Sequence, residues 1–330
     1  MRKSFKEKSP KINDLGLEIR RKEMNAPVVL FVYNRVDNVE KTLSALAGNK
    51  LAKESELFIF SDGPKIKNDK KVLDVRKLIH DEKWNSHFKK VTIVESEKNQ
   101  GLANSIIVGV DTIINKFGKI IVIEDDCVSS PDFLSFMNDC LNYYENDSEI
   151  WSIGGYSVDI DFPDDYKYDV YLMGRTCSYA WATWIDRWQK VDWDVSDYLQ
   201  FKFNFKKRHE FNRYGMDRSK MLDEQQLGMK NSWAIRFCYA MFRNNMFTVY
   251  PVITRIRNIG YSEGTHITKN STGTELFDVK LSEGNNPYEL THNLAVDREI
   301  RRQFVNYFRR SKIKLLIAYV SNVLLKIKRK

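Results

Sequence analysis

Apolar, β-branched residues recur along the first 150 positions in short runs, and each run closes on a polar cluster. Pro27 introduces Val28 to Tyr33, which ends in Asn34 and Arg35. Val36 to Leu46 then shows helical spacing through Val39, Leu43 and Leu46. A second run, Glu56 to Phe60, ends in Ser61, Asp62 and Gly63, and Lys70 to His80 follows as an amphipathic helix. A third, Val91 to Val94, leads to Asn99, Gln100 and Gly101, with a helix from Ser105 to Lys116. The fourth, Ile120 to Glu124, is apolar at four successive positions and runs straight into Glu124, Asp125 and Asp126, before a helix from Phe133 to Tyr144. Continuous apolar runs without alternation mark strands buried on both faces, and strands alternating with helices predict an α/β fold with a mostly parallel sheet flanked by helices. Every strand delivers its polar residues at its carboxyl end, the edge where open α/β sheets bind ligands.

Beyond residue 150 the texture changes. Trp151 to Tyr156 reads as a strand and turn, and Asp159 to Asp169 as an acid-rich loop. Within an aromatic block from Tyr171 to Tyr198, Trp181, Trp184 and Trp188 stand at helical spacing and predict one face of a helix. Residues 199–220 are basic and aromatic. Ser232 is placed to cap a helix running to about Asn244, and Val249 to Ile253 reads as a strand. From Arg298 to Lys330 apolar and basic residues interleave, and no Asp or Glu occurs from residue 300 onward. That is the pattern of a basic amphipathic helix that lies on an anionic membrane; the plainer reading is a terminal helix packed on the domain.

Three adjacent carboxylates repel one another and need a cation or hydrogen-bond donors, and a hard divalent ion that also holds phosphate answers that need. The plainer reading is a solvated acidic turn. The net charge of +9, concentrated at the termini, points to an anionic partner. The turns contain neither GxGxxG nor GxxxxGK[ST], which removes the dinucleotide fingerprint and the P-loop. Cys127, Cys140, Cys177 and Cys238 show no CxxC spacing, which argues against a zinc site and suits a reducing, cytoplasmic setting. The amino terminus has no signal-like apolar core, and no run reaches the length of a membrane span.

Taken in order, VVLFVYNR, SDG, NQGLA and the EDD that precedes Pro131, Asp132 and Phe133 resemble the nucleotide-sugar half of GT-A-fold glycosyltransferases, of the family-2-like bacterial type and the N-acetylglucosaminyltransferase I group. The resemblance implies a nucleotide-sugar half over 26–150 and, more loosely, an acceptor half over 151–268; outside it lie a polar tail over 1–25 and a C-terminal loop and basic amphipathic extension over 269–330. It implies a UDP-sugar donor, a saccharide acceptor of which a lipid-linked one is an example, Mn²⁺ or Mg²⁺, inverting transfer, and no nucleic acid. Asn34 and Arg35 would face the nucleotide, Asp62 the base, Asn99 and Gly101 the nucleoside, and Glu124 and Asp125 the ribose or sugar. Asp126 would ligate the metal, with His266 a candidate second ligand. Asp223 and Glu224 are the candidate general bases, with Asp217 and Asp194 as alternatives, because Asn231 and Ser232 stand where the second group carries an acid. Tyr179, Trp181 and Trp184 are candidates for stacking on the acceptor. Membrane contact would fall to residues 300–330, at the inner face. A sugar-phosphate nucleotidyltransferase would also use metal and acids, but it normally has a Gly-rich loop after the first strand. A carbohydrate-binding module would need no acids at a strand end.

Overall fold

A computed structural model describes residues 24–260, 280–285 and 287–309. The four runs form β1 (Val28–Val32), β2 (Glu56–Ser61), β3 (Lys90–Glu95) and β4 (Lys119–Glu124). Between them lie α1 (Val36–Ala47), α2 (Lys70–Ile79) and α3 (Leu102–Phe117), and α4 (Phe133–Tyr143) follows. The chain then supplies β5 (Cys127–Ser129), β6 (Ile150–Gly154), β7 (Val170–Met173), β8 (Ala180–Trp184), β9 (Phe247–Pro251) and β10 (Ile256–Asn258).

Eight strands make one sheet in the order β3-β2-β1-β4-β8-β6-β9-β7. β3, β2, β1, β4, β6 and β9 point one way, and only β8 and β7 run against them. The sheet crosses residue 150 without a break, because β8 pairs with β4 on one side and β6 on the other. The α/β expectation therefore holds.

The side chains explain the layering. All of β1, and β4 up to Ile123, are buried, as doubly covered strands must be. α3 and α9 (Trp233–Arg243) pack together on one face. Ser232 caps α9, accepting from Ile235 N. Trp181 stacks on Trp233 there, with ring centroids 4.9 Å apart. Trp184 leaves the opposite face of β8, and its Nε1 donates to the Leu141 carbonyl of α4.

The helical reading of the Trp181, Trp184 and Trp188 spacing is corrected: Ala180–Trp184 is a strand and only the following Ile185–Trp188 (α5) is helical. A strand buried on both faces has no alternation to betray it, and pairing with β4 and β6 overrides a local 3.6-residue spacing. Helices α6 (Tyr198–Lys202), α7 (Phe205–Phe211) and α8 (Arg218–Gln226) complete the region before α9.

Residues 298–309 are helical, and Ile300 and Phe304 are buried in the domain. Phe304 lies edge-on to Tyr250 of β9, and the Arg175 guanidinium lies over the Phe308 ring. The start of the C-terminal extension thus spends its apolar face on the domain. Residues 1–23, His266 and residues 310–330 lie outside the described residues. Among the described residues no helix is long and apolar enough to cross a membrane.

Candidate functional site

The chain moves outward from β1 to β2 and β3, then returns to lay β4 on the other side of β1. The strand order reverses between β1 and β4, and the crevice outside their carboxyl ends is the ligand position of such sheets. Asn34 and Arg35 come to it from β1, and Glu124, Asp125 and Asp126 from β4, with Phe31 and Glu124 in register.

Arg35 spans two of the acids. Its Nη2 lies 3.3 Å from Asp125 Oδ1, and its Nη1 donates to Asp126 Oδ2 at 3.1 Å. Burial works to lower the Arg35 pKa, but Asp125 and Asp126 outweigh it and hold the guanidinium charged. The Thr42 hydroxyl donates to the Asp125 carbonyl at 3.0 Å and ties the turn to α1.

Burial and the neighbouring charges raise the proton affinity of two of the acids, Glu124 and Asp125. Crowding round the Glu124 carboxyl, then the charges of Asp126 and Asp125, push its pKa well above the ordinary value. Burial raises Asp125 to about 6 against the pull of Arg35. At this corner Arg35 is the counter-charge of Asp125 and Asp126.

A late segment completes it. β10 pairs antiparallel with β5, setting Asn258 opposite Cys127. Asn258 Nδ2 donates to Asp126 Oδ1 at 3.2 Å, and Ile259 N donates to the Asp126 carbonyl at 2.8 Å. Gly260 passes so close that a Cβ there would stand 2.1 Å from Asp126 Oδ2. A side chain there would have to displace the Asp126 carboxylate from its present position. From sequence Asn258 and Gly260 belong only to a Gly-containing loop running to His266, and the glycine two residues after an asparagine is the one signal there.

Asp62 has a different task from the one the resemblance implies. Its Oδ1 accepts from Gly63 N and Gln100 N, both at 2.8 Å, and its Oδ2 from Asn99 Nδ2 and Gly101 N, both at 3.0 Å. A carboxylate has about four lone-pair positions, so this one is saturated and has no acceptor left for a base. It clamps the 99–101 loop that opens α3. Gly101 adopts φ +74° and ψ 152°, a region essentially reserved for glycine. Asn99 also donates to the Gly63 carbonyl and borders an open cleft of about 620 Å³ at the ends of β2 and β3. Lys65, Lys67, Arg76 and Lys98 line this cleft, with Glu97 the one carboxylate among its lining residues.

Of the acceptor-side aromatics, only Tyr179 reaches the corner. Its carbonyl accepts from Glu124 N at 3.2 Å, and its ring meets Tyr156 edge-on at 5.2 Å. Trp181 is wholly buried under α9. Trp184 pairs with Lys119 at the opposite, amino-terminal end of β4. Neither can stack on a sugar, and both are core.

The two candidate bases lie on α8, which packs on α7 and α9. Asp223 receives both Arg208 Nη atoms, at 2.9 and 2.7 Å, and the Tyr198 hydroxyl at 3.1 Å. The Arg208 bonds lower its pKa, which weakens it as a base. Glu224 Oε2 lies 2.7 Å from Lys230 Nζ. In place of free bases the structure presents ion-paired carboxylates. Arg255 is likewise structural: it is buried against Asp132 at 3.2 Å, with Ser130 and Ser282 donating to the same carboxylate.

Among the described residues no three His, Cys, Asp or Glu side chains form a metal cage. Mg²⁺-type ions shared with phosphate need only one or two carboxylates. Asp126, with Asp125 beside it, fits that shared mode.

No family model and no curated protein matches the chain. Among solved structures it is similar to TarS of S. aureus, at 12% identity and TM-score 0.44, over 79% of this chain and 41% of that one. It is also similar to UDP-glucose pyrophosphorylase complexed with UDP-glucose, at 13% identity and TM-score 0.40, over 72% of this chain and 95% of that one. The apo form of UDP-glucose pyrophosphorylase gives 12% identity and TM-score 0.35 over the same shares. The chain thus spans less than half the length of TarS.

Proposed function

We propose that this protein is a metal-dependent glycosyltransferase that moves a sugar from a UDP-sugar to a saccharide hydroxyl. The observation that carries the reading is the convergence of Arg35, Asp125, Asp126, Asn258 and Gly260 where the strand order reverses. A nucleoside diphosphate leaves with negative charge, so its site must gather cations without crowding in anions. Arg35 presents a planar fork suited to phosphate as well as carboxylate. Burial and the neighbouring acids raise the Glu124 pKa, which disfavours a third negative charge beside the diphosphate. Asp126 and Asp125 hold Mn²⁺ or Mg²⁺, which supplies Lewis-acid neutralisation of the diphosphate when bound. The nucleoside lies toward Asn99 and the basic cleft, and the acceptor toward Tyr179.

Transfer is inverting: a carboxylate takes the acceptor proton as the hydroxyl attacks the anomeric carbon and UDP departs. Asp223 and Glu224 remain the bases to test, and either must leave its ion pair to serve. The acceptor is a growing surface glycan, lipid-linked and met at the inner face of the membrane.

The experiment is UDP release from a panel of UDP-sugars with and without Mn²⁺. Release should depend on the ion and fall by roughly 100-fold or more in Asp126→Ala, on the scale of removing a charge-stabilising group. Unchanged turnover in Asp126→Ala would sink the site assignment. Pyrophosphate release from UTP and a sugar phosphate would instead make the protein a nucleotidyltransferase.

A further inference from the structure

Large apolar side chains in full contact with water are concentrated at the turn between α6 and α7. Phe205 is 82% exposed, Phe203 70% and Leu199 66%. The backbone of this turn is firmly seated. Phe201, between the exposed residues, is buried edge-on against Phe211 and Tyr239, with ring centroids 5.5 and 4.9 Å away. Asn204 caps α7 by accepting from Lys207 N at 3.0 Å. Leu199 and Phe203 are four apart and share a face of α6, and Phe205 opens α7. A rigid turn therefore holds three hydrophobic tips outward, where folding gains nothing from them.

The charge between the tips is positive, and of the flanking acids Asp197 is paired with Arg243 while Glu210 lies further along α7. Leu199 to His209 contains no Asp or Glu but includes Lys202, Lys206, Lys207 and Arg208. Arg208 is neutralised by Asp223, while the three lysines are exposed, and Lys202 Nζ lies 5.7 Å from the centroid of the Phe203 ring. Apolar tips inside a lysine collar suit the interface of an anionic bilayer: the rings enter the headgroup boundary and the ammonium groups stay with the phosphates. Self-association fits poorly, because a two-fold pairing of this patch would set the same lysines against one another.

We propose that the α6–α7 turn is a membrane-docking element for anionic phospholipid, with Leu199, Phe203 and Phe205 as its inserted tips and Lys202, Lys206 and Lys207 as its electrostatic collar. It is separate from the helix at 298–309, whose apolar side chains are already packed on the domain. The inference does not rest on glycosyl transfer and would survive the loss of that reading.

The four native cysteines are buried, so Gln200→Cys gives a single exposed thiol for an environment-sensitive fluorophore on the full chain. Vesicles of phosphatidylcholine with and without phosphatidylglycerol are the probes. The label should shift to the blue on anionic vesicles only. Phe203→Ser with Phe205→Ser should abolish the shift and weaken vesicle binding at least about tenfold at unchanged Tm, since neither ring is in the core. Lys206→Glu with Lys207→Glu should weaken it by a similar factor. A label that stays unshifted on anionic vesicles overturns the proposal. So does an equal shift with soluble heparin, which would make the patch a polyanion site. Concentration-dependent dimerisation that the serine pair abolishes would make it a protein interface.

Discussion

Asp62→Asn puts the loop clamp to a quantitative test. The parent carboxylate accepts two hydrogen bonds on each oxygen, three from backbone N–H groups and one from the Asn99 amide. The amide keeps one oxygen, which can retain Gly63 N and Gln100 N, and sets an NH₂ group against Gly101 N–H and the Asn99 donor. Two charge-assisted bonds are lost, each of about 1.5–3 kcal/mol. An uncharged amide is cheaper to bury and returns about 1–2 kcal/mol. The net cost is about 2–4 kcal/mol. Because the change is local, it should appear first as opening of the 99–101 loop. Hydrogen exchange at the Gln100 and Gly101 amides should accelerate by about 30- to 900-fold, tenfold for every 1.36 kcal/mol. UDP affinity should fall with it, as an indirect effect. The reasoning is refuted if exchange stays within threefold of the parent while UDP affinity alone collapses. Asp62 would then be free to meet the base, as the resemblance implies.

The other predictions concern charge at buried positions. Asp125 has a folded pKa of about 6 against an ordinary 3.8, so the folded state holds its proton more tightly than the unfolded chain. Its stabilising effect is complete below about pH 4 and is lost as pH rises to about 6, leaving a deficit of up to about 3 kcal/mol at pH 7.5. Asp125→Asn without divalent ion should therefore be the more stable protein at pH 7.5 in urea titrations and should converge on the parent near pH 4; a constant difference across that range contradicts the assignment. Asp132→Ala removes the partner of a buried arginine and should cost about 3–5 kcal/mol in the same titration, whereas a loss below 1 kcal/mol would mean that Arg255 finds another acceptor.

The half of the fold that carries the acids was legible because its strands are apolar runs with polar residues gathered at one end; β1, β4 and most of β2 are buried as such runs predict, whereas β3, at the sheet edge, is half-exposed, which corrects the doubly buried reading of Val91 to Val94. Val28 to Val32 and Lys119 to Glu124 differ from expectation by a residue at their ends. What could not be read depends on distant pairing. β8 and β7 lie inside an aromatic block with no alternation, and β7 went unrecognised there. β5 and β10 have three residues each and acquire meaning only when Asn258 meets Cys127. Arg35 was legible as a polar residue at a strand end, but not as the counter-charge of Asp125 and Asp126, because sequence order says nothing of which strands become neighbours. Asp62 was legible as a polar residue at a strand end, but its donors within the protein, Gly63, Asn99, Gln100 and Gly101, were not, because all but Gly63 lie across a crossover.

Asn258 reaches back over 132 positions to hold the Asp126 carboxylate. During synthesis the acids of β4 therefore emerge from the ribosome long before the segment that orients one of them. A nascent chain ending near residue 250 can have its β1–β4 sheet in place and still lack Asn258 and Gly260. The arrangement of the acidic corner is acquired late, as a property of nearly the whole sheet. A fragment cut after the fourth strand would inherit the acids without their arrangement.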